Sequence, residues 1–261
     1  MNLMKAESPG PSVSRLVPKV QTTAKILYEI YIVMTIIEIV LLLFGGMPLF
    51  DALTSAFGTA GTGGFGIKND SFASYSPYLQ NVVTVFMILF GINFNAYFFI
   101  IMGKAKQAFQ MEEVRAYLLV IGASIVAITW NTLEIFQSVG LAFQQAAFQV
   151  GSIVTTTGFA TTDFDKWPQA SRTILVMLMF MGACAGSTGG GMKVSRFLIL
   201  IKTVKKELVQ LVHPNAVKKI KMDGKIVEQG THEALLRAHG YYHDLYSKQF
   251  AEENAAKVWG A

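Results

Sequence analysis

The stretch Thr59-Ala-Gly-Thr-Gly-Gly-Phe-Gly66 has an echo in Thr155-Thr-Thr-Gly-Phe-Ala-Thr-Thr162. Each lies between two long apolar runs and follows a short half-polar helical segment, Leu49 to Phe57 before the first and Leu141 to Gly151 before the second. Those segments are too short to cross a bilayer, which takes about 20 apolar residues. Threonine and glycine with no strand before them suggest backbone that turns its carbonyls toward a ligand. Non-helical backbone at membrane depth is tolerated where it is buried in protein or lines a wet cavity, and an aqueous ion path is the usual reason for it.

Working outward, the apolar runs flanking these stretches are Ile26 to Phe44, Tyr78 to Met102, Ala116 to Phe136 and Ile174 to Ile201. Composition agrees: 52% of the 261 residues are hydrophobic and 15% are charged, whereas soluble domains carry about a quarter charged residues. The mean hydropathy is +0.42. The expected fold is an all-α integral membrane protein with four transmembrane helices and two re-entrant pore helices. Gly64 and Gly158 occupy matching places, so helix, pore loop and helix form an internal repeat. The organisation reads as a cytosolic linker at 1–25, a first repeat at 26–102, a second linker at 103–115, a second repeat at 116–201 and a basic cytosolic tail at 202–261.

Charge sets the orientation. The segment up to Lys25, the linker from Gly103 to Arg115 and the chain after Lys193 are rich in Lys and Arg. The opposite loops carry only Lys68, Lys166 and Arg172. Cytosolic loops hold the excess of Lys and Arg, so both termini are expected in the cytosol, with the re-entrant stretches entering from outside. The net charge of +5 is then a topology signal rather than a sign of nucleic acid.

Within the crossings, Glu38 is an intramembrane acid that either faces other helices or marks an ion path, the structural role being the commoner. Asn93 and Asn95 are expected to hydrogen-bond between helices. The last apolar run is interrupted by Gly182-Ala-Cys-Ala-Gly-Ser-Thr-Gly-Gly-Gly191, whose five glycines each cost up to about 1 kcal/mol of helix propensity. An irregular intramembrane loop is expected there.

Three other motifs fail. Gly61, Gly63 and Gly66 fit G-x-G-x-x-G by letter, but no strand precedes them. Gly186 to Lys193 resembles a phosphate loop until Met192 separates Gly191 from Lys193 and Val194 takes the hydroxyl position. His213, His232, His239 and His243 have no regular ligand spacing, so no transition-metal site is expected. Cys184 stands alone, and no acid–base pair or nucleophile is assembled. Transport is expected rather than catalysis, with no cofactor.

Five segments together resemble the TrkH/KtrB-type potassium uptake family, the Trk transporters. They are Ala6-Glu-Ser-Pro-Gly-Pro11, Gly61-Thr-Gly-Gly-Phe65, Thr155-Thr-Thr-Gly-Phe-Ala-Thr161, Ala185-Gly-Ser-Thr-Gly-Gly-Gly-Met-Lys193 and His213-Pro-Asn-Ala216. The resemblance runs from about Met1 to about Val227. It implies a potassium-channel-like fold of four helix–pore loop–helix repeats in a bacterial inner membrane. Gly64 and Gly158 would be filter glycines of the second and third repeats, with Thr62, Gly63, Phe65, Thr156, Thr157 and Phe159 beside them. Gly182, Gly186, Ser187, Thr188, Gly189, Gly190, Gly191 and Lys193 would form an intramembrane gating loop. Potassium is the implied substrate, possible symport included, and a cytosolic nucleotide-binding regulatory subunit the implied partner.

The same resemblance places the family's first repeat before Met1 and its fourth after Val227. Two quarters do not enclose a pore, while two copies would supply four. The tail from Asp223 to Leu236, with Gly240 to Tyr246, resembles instead the carboxyl end of an ABC exporter's nucleotide-binding domain, with a helix expected from Thr231 to Ala238. Its alternatives are an exporter-related component or a non-conducting membrane fragment.

Overall fold

The structure is a computed structural model that describes residues 20–212, 221–222 and 225–226. The tail helix expected at Thr231 to Ala238, the four histidines, and most of the linker 1–25 lie outside the described residues. Two compact units are present, one ending at Leu198 and one running from Ile199.

In the first unit, α1 (Val20–Phe44) and α2 (Leu49–Ala60) precede α3 (Pro77–Phe90) and α4 (Phe94–Ile101). A short α5 (Ala105–Gln110) leads to α6 (Glu112–Phe136), α7 (Val139–Val154) and α8 (Gln169–Met181), and α9 (Val194–Val212) follows a loop. Thus each repeat places a short helix, α2 or α7, where a re-entrant helix was expected.

Among the described residues two helices, α1 from Ala24 and all of α6, are long and apolar enough to cross a membrane. Their outward faces carry Trp130, Leu119 and Tyr28, each more than half exposed, which suits hydrocarbon better than water. Proline and glycine punctuate the rest. Pro48 precedes α2, and Pro77 opens α3 at N1 behind a Ser76 hydroxyl that accepts from the Leu79 N–H, the preferred chemistry for a helix start.

Three boundaries correct the sequence reading. The second crossing is not one helix from Tyr78 to Met102, because α3 and α4 meet at 92°. Gly91 ends α3, and the Asn93 side chain accepts from the Asn95 N–H to start α4. The segment 103–115 is not a plain linker, since it holds α5 and the start of α6. In the tail, Lys221–Met222 (β1) pairs antiparallel with Lys225–Ile226 (β2), where no strand was expected. The break in the last crossing, by contrast, lies where the glycines place it, between Met181 and Val194.

The core is split between the repeats. Ile121, Ile125, Ile128, Val150, Leu175 and Leu178 pack α6, α7 and α8 together. Leu42, Ala52, Ala56, Val83 and Met87 pack α1, α2 and α3, and Phe148 and Phe159 of the second repeat join that cluster. Glu38 is fully buried in α1. Neither of its carboxyl oxygens is hydrogen-bonded; Thr59 is the polar neighbour acting on it, but the Thr59 hydroxyl is committed to the Ser55 carbonyl at 2.9 Å.

Candidate functional site

The two threonine–glycine stretches end their helices by the same hydrogen bonds. After α2, the N–H groups of Gly61, Thr62 and Gly63 donate to the carbonyls of Phe57, Thr59 and Gly58, and Gly64 N–H also reaches Gly58. After α7, Thr155, Thr156 and Thr157 donate to Gly151, Ile153 and Ser152, and Gly158 N–H also reaches Ser152. Dihedrals repeat as well. Thr62 and Gly64 have φ of 50° and 67°, Thr156 and Gly158 have 62° and 89°, and the residue between each pair stays out of that region. Alternating left- and right-handed backbone turns successive carbonyls toward one side. Among the described residues, the carbonyls of Thr62, Gly63, Gly64, Thr156, Thr157 and Gly158 accept no hydrogen bond. Such carbonyls can replace water around a cation.

A β-branched residue at positive φ is strained by roughly 1–3 kcal/mol. Both strained threonines are held from below. Thr62 Oγ1 donates to the Thr188 carbonyl at 3.2 Å, and Thr156 Oγ1 accepts from Gly190 N–H at 2.7 Å. The glycine loop therefore sits directly under both turns and is tied to each.

The turns touch. An added Cβ on Gly64 would lie 1.9 Å from the Thr157 carbonyl oxygen, so glycine is required for that approach. Phe159 is 1% exposed. It stacks edge-on against Phe72 at 4.7 Å and lies against Gly58. Beside it, Phe72 N–H donates to the Ala160 carbonyl and Ser71 Oγ accepts from Ala160 N–H. The first repeat thus cradles the second turn. Phe65, the counterpart of Phe159, is 80% exposed and has no such cradle among the described residues. Nearby, in the loop between α2 and α3, Tyr75 donates to Asp51 at 2.9 Å. Burial, with help from that carboxylate, pushes the Tyr75 phenol up to about 12.

The loop from Gly182 to Lys193 closes on itself at a neck. A Cβ on Gly182 would lie 2.6 Å from the Gly190 carbonyl, and one on Gly191 would lie 2.6 Å from the Gly182 Cα. Lys193, also at positive φ, donates its ammonium to the Gly189 carbonyl. Laterally the loop docks on the bend between α3 and α4: Cys184 N–H donates to Gly91, Thr188 N–H to Phe90, and Phe94 N–H to Gly186. Of the eight residues read as the loop, Thr188 and Gly190 are the ones hydrogen-bonded to the turns.

One residue at this site was missed. Glu113, read as a linker charge, is 4% exposed. Its Oε1 accepts from Ala185 N–H at 2.7 Å and Ser195 N–H at 3.0 Å, and its Oε2 from Asn93 Nδ2 at 3.5 Å. Asn93 does bond across helices, but to this acid. No group of three or more metal-ligating side chains occurs among the described residues.

The chain is similar to the crystal structure of the potassium transporter TrkH from Vibrio parahaemolyticus, with a TM-score of 0.78 and 33% identity over 94% of this chain and 52% of that one. It is 36% identical to the Trk system potassium uptake protein TrkH of Salmonella typhimurium and 35% identical to that of Escherichia coli, each over 90% of this chain. It is also 34% identical to the E. coli Trk system potassium uptake protein TrkG over 86% of this chain. The chain spans about half the length of these relatives, 50%, 50% and 47% respectively. The TrkH profile, described as a cation transport protein, matches residues 1–236. That match runs past the junction read near Val227 and takes in Asp223 to Leu236, so an exporter origin for those residues has no support. By that match, the chain belongs to the TrkH family of cation transport proteins.

Proposed function

We propose that the chain supplies two quarters of a potassium path through a bacterial inner membrane. Thr62, Gly63, Gly64 and Phe65 form one quarter and Thr156, Thr157, Gly158 and Phe159 the next. The observation that carries this reading is the pair of matching turns, whose six carbonyls accept no hydrogen bond from the described residues. A filter works by exchanging the ion's water for such oxygens, several loops converging on one point. The loop from Gly182 to Lys193 is the gate beneath it, with the Lys193 ammonium adding a local positive charge that opposes cation passage until the loop moves.

Two quarters leave a half-ring, and the uncovered Phe65 marks the edge where another quarter docks. A second copy of this chain is one source of that quarter. Both termini face the cytosol by the distribution of Lys and Arg. There the basic residues Lys202, Lys205 and Lys206 of α9 suit a nucleotide-binding regulatory subunit.

Growth at limiting potassium of a bacterium lacking its uptake systems is the test. Expression of the chain restores growth, and Gly64→Ser or Gly158→Ser abolishes the rescue at equal membrane abundance. No rescue from a correctly inserted chain makes it a non-conducting membrane fragment and overturns the proposal.

A further inference from the structure

The glycine loop is attached to the rest of the molecule at several points, but one side chain binds both of its ends. Glu113 Oε1 accepts from Ala185 N–H, early in the loop, and from Ser195 N–H, just past its end. Its second oxygen receives Asn93 Nδ2, and Asn93 also caps α4 at the bend where the loop docks. No Lys or Arg among the described residues forms a salt bridge with Glu113. A buried carboxylate that spends its oxygens on backbone N–H groups makes strong charge-assisted bonds. Removing it orphans two donors at once, the buried Ser195 N–H and the half-buried Ala185 N–H. Glu113 sits in the first turn of α6, so it ties the loop to a helix of 25 residues.

We propose that Glu113 is the latch of the glycine loop. It is a positioning residue that holds the closed loop at Ala185 and Ser195, and the loop leaves its seat only when both N–H groups release Oε1. The proposal rests on the loop being the gate, but its test does not require transport.

Cys184 is the chain's one cysteine. It is fully buried inside the loop, so its alkylation rate by a membrane-permeant maleimide reports opening. In native membranes the unaltered chain reacts slowly. Glu113→Ala raises the rate at least about tenfold, because losing one bond to a charged acceptor already exceeds the roughly 1.4 kcal/mol that a factor of ten represents. Glu113→Gln keeps one acceptor for the two N–H groups but turns a donor toward Asn93, and gives an intermediate rate. Should the alanine variant fail to insert, the glutamine variant decides.

A control separates opening from loosening. In a Cys184→Ala, Ala146→Cys background the thiol sits fully buried in α7 and stays slow with or without Glu113. An unchanged Cys184 rate in both Glu113 variants overturns the latch. So does a rise at position 146 in step with position 184, which would make Glu113 a stability residue only. Either result leaves the growth rescue, and with it the filter reading, untouched.

Discussion

Gly64 and Gly158 occupy equivalent places in the two turns, yet replacing them with alanine has unequal consequences. Both have positive φ, 67° and 89°, so any side chain there costs about 1–2 kcal/mol of left-handed strain. At Gly158 that is the whole cost, since nothing lies within 4 Å of its added Cβ. At Gly64 the Cβ would lie 1.9 Å from the Thr157 oxygen and 2.9 Å from its carbon. The opposing carbonyl would have to retreat by roughly 1.5 Å to reach an ordinary contact near 3.5 Å. That carbonyl belongs to the second turn, whose Thr157 N–H is held by Ser152 and whose neighbour Thr156 is held by the loop. It cannot retreat alone. Gly158→Ala is therefore expected to lower stability by about 1–2 kcal/mol. Gly64→Ala should lower it further, by at least about 1 kcal/mol more, in the range of overpacking. Thermal unfolding of the purified variants in detergent measures the difference. Equal losses, or a larger loss at Gly158, would refute the close approach of the two turns.

Phenylalanine gives the same contrast in reverse. Phe159→Ala empties the socket formed with Phe72 and Gly58 and should cost about 3–5 kcal/mol, whereas Phe65→Ala should change monomer stability by less than about 0.5 kcal/mol. Unfolding of both variants in detergent checks this, and similar losses would contradict the asymmetry. Glu38→Met removes a buried carboxyl whose oxygens have no hydrogen bond, and should raise stability by about 1–3 kcal/mol. A fall in melting temperature would mean that the acid has a favourable partner.

Local signals were sufficient for the presence of α2 and α7, which run three residues past the expected Phe57 and Gly151, and for the broken last crossing. Helix stops, glycine runs and apolar lengths are properties of neighbouring residues, so a sequence displays them. The bend at Gly91 was not legible, because one glycine within a long apolar run is ordinarily tolerated. What holds the bend is distant: the Gly91 and Phe90 carbonyls accept from Cys184 and Thr188 N–H, and only glycine fits there because a Cβ would meet the Tyr117 hydroxyl at 2.1 Å and Thr155 at 2.9 Å. Glu113 was missed for the same reason. Its partners Ala185 and Ser195 lie 72 and 82 residues away, and beside Glu112 it looks like one more charge of a solvated linker. The exporter likeness of the tail rested on a short stretch, and the family match continues through Asp223 to Leu236 without supporting it.

Thr62 and Thr156 are shared between two structures: their backbone shapes the turns while their hydroxyls hold the loop. Sharing of this kind imposes reciprocity. If an ion in the turns steadies the strained threonines, it must bias the loop toward its seat. Conversely, a loop that leaves its seat must weaken the ion's hold by the same factor. On the proposed reading, occupancy and opening are two readings of one equilibrium, and a permeating ion would itself be an effector of the barrier it crosses.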